Sequence, residues 1–291
     1  MASDSFPPFE QGTLRESIRK RSASALASGA LVPIDSEETL IEDHGATFPV
    51  RVATHWKRKS AASTANPNSP HANPFLPPDP ALVVGGVSRT HLAVLNKFAV
   101  LPGHLLIVTH IFEPQGTRLN AADFAAWGRC LAEFSSLGFY NSGPVAGASQ
   151  SHRHLQLVPL PLSDQTASSF PIEPIVETGQ IPFLEVRIPL VPDSPPDSPA
   201  WLSAADLAYR SGLESLGIQF SKVGEPTVPY NLLITPSWLW MIPRSRAEVD
   251  GISINGLGFA GSFFVKEASQ IERLRSLGPV DLLRNVAIPL P

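Results

Sequence analysis

The chain has a single cysteine among its 291 residues, Cys130, so it can form no internal disulfide and holds no Cys-x-x-Cys pair for a structural zinc. This cysteine content fits a reducing compartment and leads us to expect a cytoplasmic protein. No run of about 18 apolar residues predicts a membrane span. The polar first 11 residues lack the apolar core of a secretory signal.

The chain also has little excess charge of either sign, since the formal net charge is only −4. That value argues against a broad basic surface and therefore against nucleic acid as a partner. A hydrophobic content of 43% with 16% charged residues is typical of a globular protein with a sizeable core. The 30 prolines favour rigid loops and short elements over a long helical bundle.

The periodicity of apolar residues predicts many short strands and a few helices, which is the α+β class. The strongest helix signal follows Asn120, a capping residue, where Phe124, Trp127, Leu131 and Phe134 recur at helical spacing. Helices are predicted over 13–31, 120–137, 204–217 and, as the last element, 269–276. Strands are predicted over 39–42, 48–53, 82–84, 91–98, 104–109, 139–142, 152–159, 230–235, 238–243 and 259–265. Pro102-Gly103 predicts the turn of an antiparallel hairpin, and the proline-rich stretch 191–201 a linker or lid.

The most informative segment is Gly-Ala-Ser-Gln-Ser-His-Arg-His-Leu-Gln-Leu over 147–157. Because side chains alternate along a strand, His152, His154 and Gln156 are expected on one face, roughly 6.5 Å apart. A neutral imidazole can attack phosphorus at pH 7, and its N-phosphoryl product stays labile to a second acceptor. Two other interpretations stay open at this point, a structural histidine pair and a metal site, although the sequence offers few partner ligands.

The spacing His-x-His-x-Gln resembles the active-site signature of the transferase branches of the histidine triad superfamily. With Arg153 between the histidines, the segment is most similar to the diadenosine tetraphosphate phosphorylases, also called ATP adenylyltransferases. Uridylyltransferases of that superfamily typically have proline there. Three further segments, 73–78, 95–109 and 230–235 with 242–245, resemble the same family, so the likeness runs from about residue 50 to 270.

The resemblance implies a histidine-triad-like antiparallel sheet with helices, elaborated by a C-terminal extension of the same domain. Together with residues 58–80, which are rich in Ser, Ala, Asn and Pro and lack apolar periodicity, it leads us to expect four regions along the chain. They are an N-terminal segment contributing to the fold (1–57), a flexible loop (58–80), a histidine triad core (81–190) and the C-terminal extension (191–291).

The resemblance also implies the reaction, phosphorolysis of diadenosine tetraphosphate (Ap4A) by phosphate to give ATP and ADP. His154 would be the nucleophile and would carry the adenylyl group, while His152 would help to hold its orientation. Gln156 replaces the third histidine of the hydrolases and holds no mobile proton, which favours phosphate over water as the second acceptor. The alternatives are a nucleotidyltransferase acting on a hexose 1-phosphate, a dinucleoside polyphosphate hydrolase, and a non-catalytic nucleotide sensor.

Substrate-binding residues are carried over from the family position by position. Asn96 is expected at the ribose and Asn141 at the reacting phosphate, while Lys57 or Lys59 would grip the distal phosphates. Arg244 resembles a family motif, and its fork-shaped guanidinium would suit a phosphate. The phosphate-binding loop is expected to include Gly147, Ser149 and Gln150. No cofactor is required covalently, although Mg²⁺ can accompany the polyphosphate.

Overall fold

The structure, a computed structural model, describes residues 6–34, 36–53, 73–190 and 193–290. Lys57, Lys59 and residues 58–72 of the predicted flexible loop therefore lie outside the described residues. Its helices are α1 (Leu14–Ala27), α2 (Ala121–Leu131), α3 (Glu173–Glu177), α4 (Pro199–Ser215), α5 (Gly256–Phe259), α6 (Ser269–Leu277) and α7 (Pro279–Val286). Its strands are β1 (Ser36–Asp43), β2 (Ala46–Ala53), β3 (Val83–Gly86), β4 (His91–Leu95), β5 (Leu105–Thr109), β6 (Ser136–Asn141), β7 (His154–Pro159), β8 (Val186–Pro189), β9 (Tyr230–Ile234), β10 (Trp238–Pro243), β11 (Glu248–Val249), β12 (Ile252–Ser253) and β13 (Phe263–Val265).

Eight strands form the main sheet in the order β3-β4-β5-β7-β6-β9-β10-β8, and each neighbouring pair is antiparallel. The predicted hairpin is confirmed, because β4 pairs with β5 and Gly103 takes a left-handed φ of 73° in the connection. Strand β7, which begins at His154, lies in the interior of the sheet between β5 and β6. The fold is therefore α+β, as the sequence predicts.

The two sides of the main sheet have different roles. On one side, here called the helix face, Leu155, Leu157 and Tyr140 are fully buried in a core that includes α2 and α4. The opposite side, here called the site face, carries the alternate residues of the same strands, among them His154, Gln156 and Phe139. The alternation of side chains along β7 thus places His154 and Gln156 on the side of the sheet away from α2 and α4.

Helix α2 begins where its capping signal predicts and ends earlier than its apolar spacing predicts. Asn120 and Asp123 form a capping box, in which each side chain accepts a hydrogen bond from the other residue's backbone N–H. The helix stops at Leu131 rather than at 137, and β6 starts at Ser136. Strand pairing decides this boundary, because β6 occupies an interior position between β7 and β9.

Several other predicted boundaries are wrong for local reasons. Helix α4 starts at Pro199 rather than 204, because Ser198 caps it and proline suits the first helical turn. The predicted strand over 259–265 is reduced to β13, since Asn255 caps the short helix α5 just before it. The helix predicted as the last element is followed by α7, and Gly278, with φ 87°, connects the two.

A second, three-stranded sheet in the order β1-β2-β13 belongs to the core on the site face. Phe48 and Phe263 pack edge to face within it, with ring centroids 5.7 Å apart. Helix α5 contacts β6 and β9 on the same side, so residues from the end of the chain cover part of the site face. None of the helices in the described ranges has the length and apolar character of a membrane span.

Candidate active site

His154 is the first residue of β7 and is only 4% exposed. Its Nδ1 lies 2.8 Å from the carbonyl oxygen of His152, and a carbonyl can only accept, so Nδ1 must carry the proton. The lone pair of the neutral ring is then on Nε2, for which no hydrogen bond is found in the described part of the chain. This tautomer presents an unprotonated nitrogen at the edge of the ring opposite the backbone.

Burial lowers the pKa of His154 to about 4. The hydrogen bond to the His152 carbonyl acts in the opposite direction, and desolvation is the larger effect. The imidazole is therefore uncharged near pH 7, which is the form that can act as a nucleophile without a separate base.

His152 precedes β7 and is held at both ring nitrogens, although the sequence places it within the strand. The amide nitrogen of Asn73 donates to its Nδ1 over 2.7 Å, and its Nε2 donates to the Thr109 carbonyl over 2.9 Å. Phe75 packs against the rings of both His152 and His154, with centroid distances of 5.5 and 5.6 Å, so both imidazoles lie on one side. With both nitrogens engaged, the His152 ring is fixed, and its backbone carbonyl orients His154.

Gln156 is oriented by a chain of side chains that reaches back to Asn96. The Oε1 of Gln156 lies 3.0 Å from His104 Nε2, and His104 Nδ1 lies 3.2 Å from Asn96 Nδ2. Since an amide nitrogen only donates, His104 accepts at Nδ1 and donates at Nε2. The oxygen of Gln156 is thereby engaged, and its amide hydrogens are the part that a phosphate oxygen can meet. The structure thus connects Asn96, through His104, to Gln156 on the site face.

Asn141, at the end of β6, is oriented by residues from the second half of the chain. Its Oδ1 accepts from Asn231 Nδ2 at 2.8 Å and from the Gly256 backbone N–H at 2.9 Å. Arg244 donates to Asn231 Oδ1 at 2.6 Å, and because arginine cannot accept, this contact fixes which way the Asn231 amide faces. The relay leaves the Nδ2 hydrogens of Asn141 available to another acceptor.

Arg244 does not have the phosphate-gripping position that its guanidinium suggests. It is 2% exposed, and burial lowers its pKa to about 9. Besides Asn231, it donates to backbone carbonyls of Val286, Ile254 and Arg246. Its charge is thus engaged within the fold, and its contribution to the site passes through Asn231.

The loop before the histidines contains a 3-10 turn over Pro144–Ala146 and then Gly147, whose φ is 93°. A side chain at Gly147 would place its Cβ 2.7 Å from the Cβ of Asn255, so close packing requires glycine here. Ser149 and Gln150 follow and are exposed. The structure therefore brings the loop to the start of β7, with its predicted ligand groups open to solvent.

Arg153, the residue before His154, has surroundings of a different kind. Arg153 is 2% exposed and forms ion pairs with Asp123 at 2.8 Å and with Glu113 at 2.9 Å. It also donates to the side chain and carbonyl of Thr117. The arginine between the histidines thus secures the loop 113–118 beside β7. In the described residues, no group of three or more His, Cys, Asp or Glu is arranged to hold a metal ion.

Sequence reasoning missed the residues that orient this site, namely Asn73, His104, Gln115 and Asn231. Asn73, His104 and Asn231 lie in segments that carry the family likeness, which is a usable signal. Gln115 lies outside these segments, and no spacing marks it. The contacts of Gln115 and Asn231 arise because the fold brings the loop after β5 and strand β9 next to the ends of β6 and β7.

Comparison with known proteins decides the family. Residues 4–178 match the family model of the Ap4A phosphorylase N-terminal domain, and residues 180–289 match that of the ATP adenylyltransferase C-terminal domain. The chain belongs to the Ap4A phosphorylase family. It is thus a nucleotidyltransferase, and the likeness seen in the His-x-His-x-Gln segment is confirmed. The strands of the main sheet come from both matched segments.

Two relatives from Saccharomyces cerevisiae are similar to the chain along most of its length. Diadenosine 5',5'''-P1,P4-tetraphosphate phosphorylase 2 is 29% identical over 90% of this chain and 90% of the relative. The protein named APA1 is 26% identical over 86% of this chain and 85% of its own length. The crystal structure of yeast Ap4A phosphorylase Apa2 superposes with a TM-score of 0.78 at 24% identity and covers 96% of this chain and 95% of that one. The structure of Apa2 in complex with Ap4A superposes with a TM-score of 0.76 and confirms the fold.

Proposed function

We propose that the protein catalyses the phosphorolysis of Ap4A, in which Ap4A and phosphate give ATP and ADP through an adenylyl group carried on His154. The observation that carries this proposal is the neutral His154, with Nδ1 donating to the His152 carbonyl and Nε2 left unprotonated. Support also comes from the names of the relatives, which include an Ap4A phosphorylase and a structure bound to Ap4A.

The first step requires no proton to leave the nucleophile. Nε2 of His154 attacks the α-phosphorus of one adenosine, the bond to the bridging oxygen breaks, and ATP departs. The ring then bears a positive charge, which the Nδ1–H···O=C bond to His152 stabilises. In the second step an oxygen of phosphate attacks the same phosphorus, releases the imidazole and forms ADP.

Gln156 favours phosphate as the second acceptor in this scheme. Its oxygen is engaged by His104, so its amide donates to a non-bridging oxygen of the transferring phosphoryl group. Neither group of the amide can take a proton from water at neutral pH. Hydrolysis of the intermediate is therefore expected to be slow relative to phosphorolysis.

The remaining binding roles are assigned within the same proposal. Asn96 takes the ribose, and Asn141, whose oxygen is engaged by Asn231 and Gly256, donates its amide hydrogens to the reacting phosphate. Lys57 and Lys59 would bind the distal phosphates, whose charge Mg²⁺ can partly offset. Gly147, Ser149 and Gln150 contribute backbone and side-chain donors around the phosphates. We place the reaction in the cytoplasm, where the buried free thiol of Cys130 stays reduced.

Product analysis tests the reaction directly. The purified protein is incubated with Ap4A in the presence and absence of phosphate, and nucleotides are separated by chromatography. We expect ATP and ADP in equal amounts when phosphate is present and little turnover without it. Formation of AMP and ATP regardless of phosphate would indicate a hydrolase, and transfer of a nucleotidyl group to a hexose 1-phosphate would indicate the other alternative.

A further inference from the structure

The side chain of Gln115 fills a gap between the two strands that carry the site. The backbone pairing of β6 with β7 reaches Phe139 opposite Gln156 and continues no further toward Asn141 and His154. Gln115, which follows β5 in the loop 113–118, is 3% exposed and lies at this opening. Its amide therefore occupies the position where a backbone ladder would otherwise link the two strands.

The amide of Gln115 makes the contacts of that missing ladder. The backbone N–H of His154 donates to its Oε1 at 2.8 Å. Its Nε2 donates to the carbonyl of Asn141 at 2.8 Å and to that of His154 at 3.3 Å. One neutral side chain thus bonds both backbone groups of the nucleophile and couples them to the neighbouring strand.

Gln115 is itself firmly held. Its backbone N–H donates to the Ser151 carbonyl at 2.7 Å, and the hydroxyl of Tyr140 donates to its backbone carbonyl. The adjacent Pro114 forms an isolated bridge with His152. These contacts leave the Gln115 side chain little freedom, so the backbone of His154 is positioned by a rigid partner.

The orientation of the His154 imidazole depends on this backbone, because Nδ1 donates to the carbonyl of His152 two residues earlier. We propose that Gln115 is a positioning residue that holds the His154 nucleophile in line with the phosphorus it attacks. The proposal rests on the proposed function, in which His154 is the nucleophile. A displacement of about 1 Å at such a group can lower a rate on the order of 100-fold.

The first test is Gln115→Met, which retains the approximate length of the side chain and removes its hydrogen bonds. We expect kcat for Ap4A phosphorolysis to fall about 10- to 100-fold, with KM changed by less than about threefold. The matched control is Gln270→Met. Gln270 is also a buried glutamine that bridges backbone groups, accepting from Lys266 and donating to Gly251, and within the described ranges neither of these hydrogen bonds involves a site residue. This control should lose a comparable amount of thermal stability while its kcat stays near the wild-type value.

The second variant, Gln115→Glu, keeps the shape of the side chain and makes its hydrogen bonding depend on pH. An ionised carboxylate can accept from His154 N–H but cannot donate to the Asn141 carbonyl, whereas the protonated acid can do both. We expect the ratio of variant to wild-type kcat to rise as pH is lowered from 8 to 6, at a temperature where both proteins are folded. A residue with a purely structural role would not produce this profile.

The outcomes distinguish a failure of the proposed function from a failure of the positioning role of Gln115. If His154→Ala keeps its activity, the proposed function fails, whatever Gln115 does. If His154→Ala is inactive but Gln115→Met retains full kcat, the positioning role is wrong. The role is equally contradicted if kcat in Gln115→Met and Gln270→Met falls in parallel with stability, or if Gln115→Glu shows the wild-type pH profile.

Discussion

Arg153 and His154 are consecutive residues, almost equally buried, and their surroundings are opposite in kind. Arg153 is balanced by two carboxylates, those of Asp123 and Glu113. His154 is surrounded by neutral groups, including the His152 carbonyl, the Gln115 amide and the ring of Phe75. The chain thus places a buried ion-pair network beside an uncharged imidazole.

This difference shows how one strand can serve structure and chemistry at once. A buried charge must be paired, so Arg153 and its partners lock the loop 113–118 against β7. A buried imidazole without a nearby carboxylate partner loses its proton instead, which keeps the His154 lone pair free. We expect substitutions at Arg153 to change mainly stability and those at His154 to change mainly the rate.

The largest effect on rate is expected from His154→Ala. Loss of the covalent step should lower kcat by several orders of magnitude while circular dichroism shows an intact fold. His110→Ala is the control, since His110 is a half-buried histidine that contacts the Ser88 carbonyl instead of the catalytic row. Wild-type turnover by a pure and folded His154→Ala protein would remove His154 from the mechanism.

The complementary change is Arg153→Met, which removes the guanidinium paired with Asp123 and leaves that buried carboxylate only its contacts with His91 and the Asn120 backbone N–H in the described residues. Breaking a buried ion pair from one side costs about 3–5 kcal/mol, so the free energy of unfolding should fall by that order. Arg210→Met removes an exposed pair with Asp206 and should cost less than about 1 kcal/mol. Denaturant titration measures the free energy of unfolding of both variants. A small loss of stability in Arg153→Met combined with a large loss of kcat would contradict the expectation that Arg153 acts mainly on stability.

The pH dependence of stability tests the neutral state of His154. Between the unfolded value of about 6.5 and the folded value of about 4, the unfolded chain binds a proton at this residue and the folded chain does not. Stability should therefore fall as pH decreases through this window, by roughly 2–3 kcal/mol between pH 7 and pH 4.5 from this group. The difference between the free energies of unfolding of the wild type and of His154→Asn, measured as a function of pH, isolates the contribution of His154. Parallel curves would indicate that burial does not depress the His154 pKa.

A smaller effect is expected from Gln156→His, which places a titratable group opposite His104. The new imidazole can take a proton from water, so the share of hydrolysis should rise several-fold relative to phosphorolysis. The ratio of AMP to ADP at a fixed phosphate concentration measures this share. An unchanged ratio in an active variant would mean that Gln156 does not govern the choice of acceptor.

Much of the fold follows from local signals in the sequence. The cap at Asn120 and the Pro102-Gly103 turn predict α2 and the β4–β5 hairpin because both depend on residues within a few positions. The end of α2 could not be predicted, since the residues up to 137 keep helical spacing. Pairing with β9, about 90 positions further along, makes part of that stretch β6.

The site, like the fold, combines features that local sequence predicts with features that depend on long-range contacts. The alternation of His154 and Gln156 predicts their shared face, because it is a property of strand β7 alone. His152 precedes that strand, and its position beside His154 depends on tertiary contacts, among them Phe75 packing against both rings. The tautomer of His154 depends on a carbonyl two residues away, and the orientation of Asn141 depends on Asn231, 90 positions further along the chain. The role of Arg244 cannot be predicted from the sequence, because a guanidinium suits a phosphate and a cluster of backbone carbonyls equally well. Contacts of this kind appear only when the sheet is assembled.

The most direct test of the account is the capture of its intermediate. The protein is mixed with Ap4A labelled at the α-phosphorus in phosphate-free buffer, and label on the protein is measured within the time of one turnover. We predict label on His154 through an acid-labile, base-stable bond, chased into ADP by added phosphate and absent in His154→Ala. Absence of labelled protein, together with inversion of configuration at phosphorus during phosphorolysis, would contradict the account and make the reaction a direct displacement.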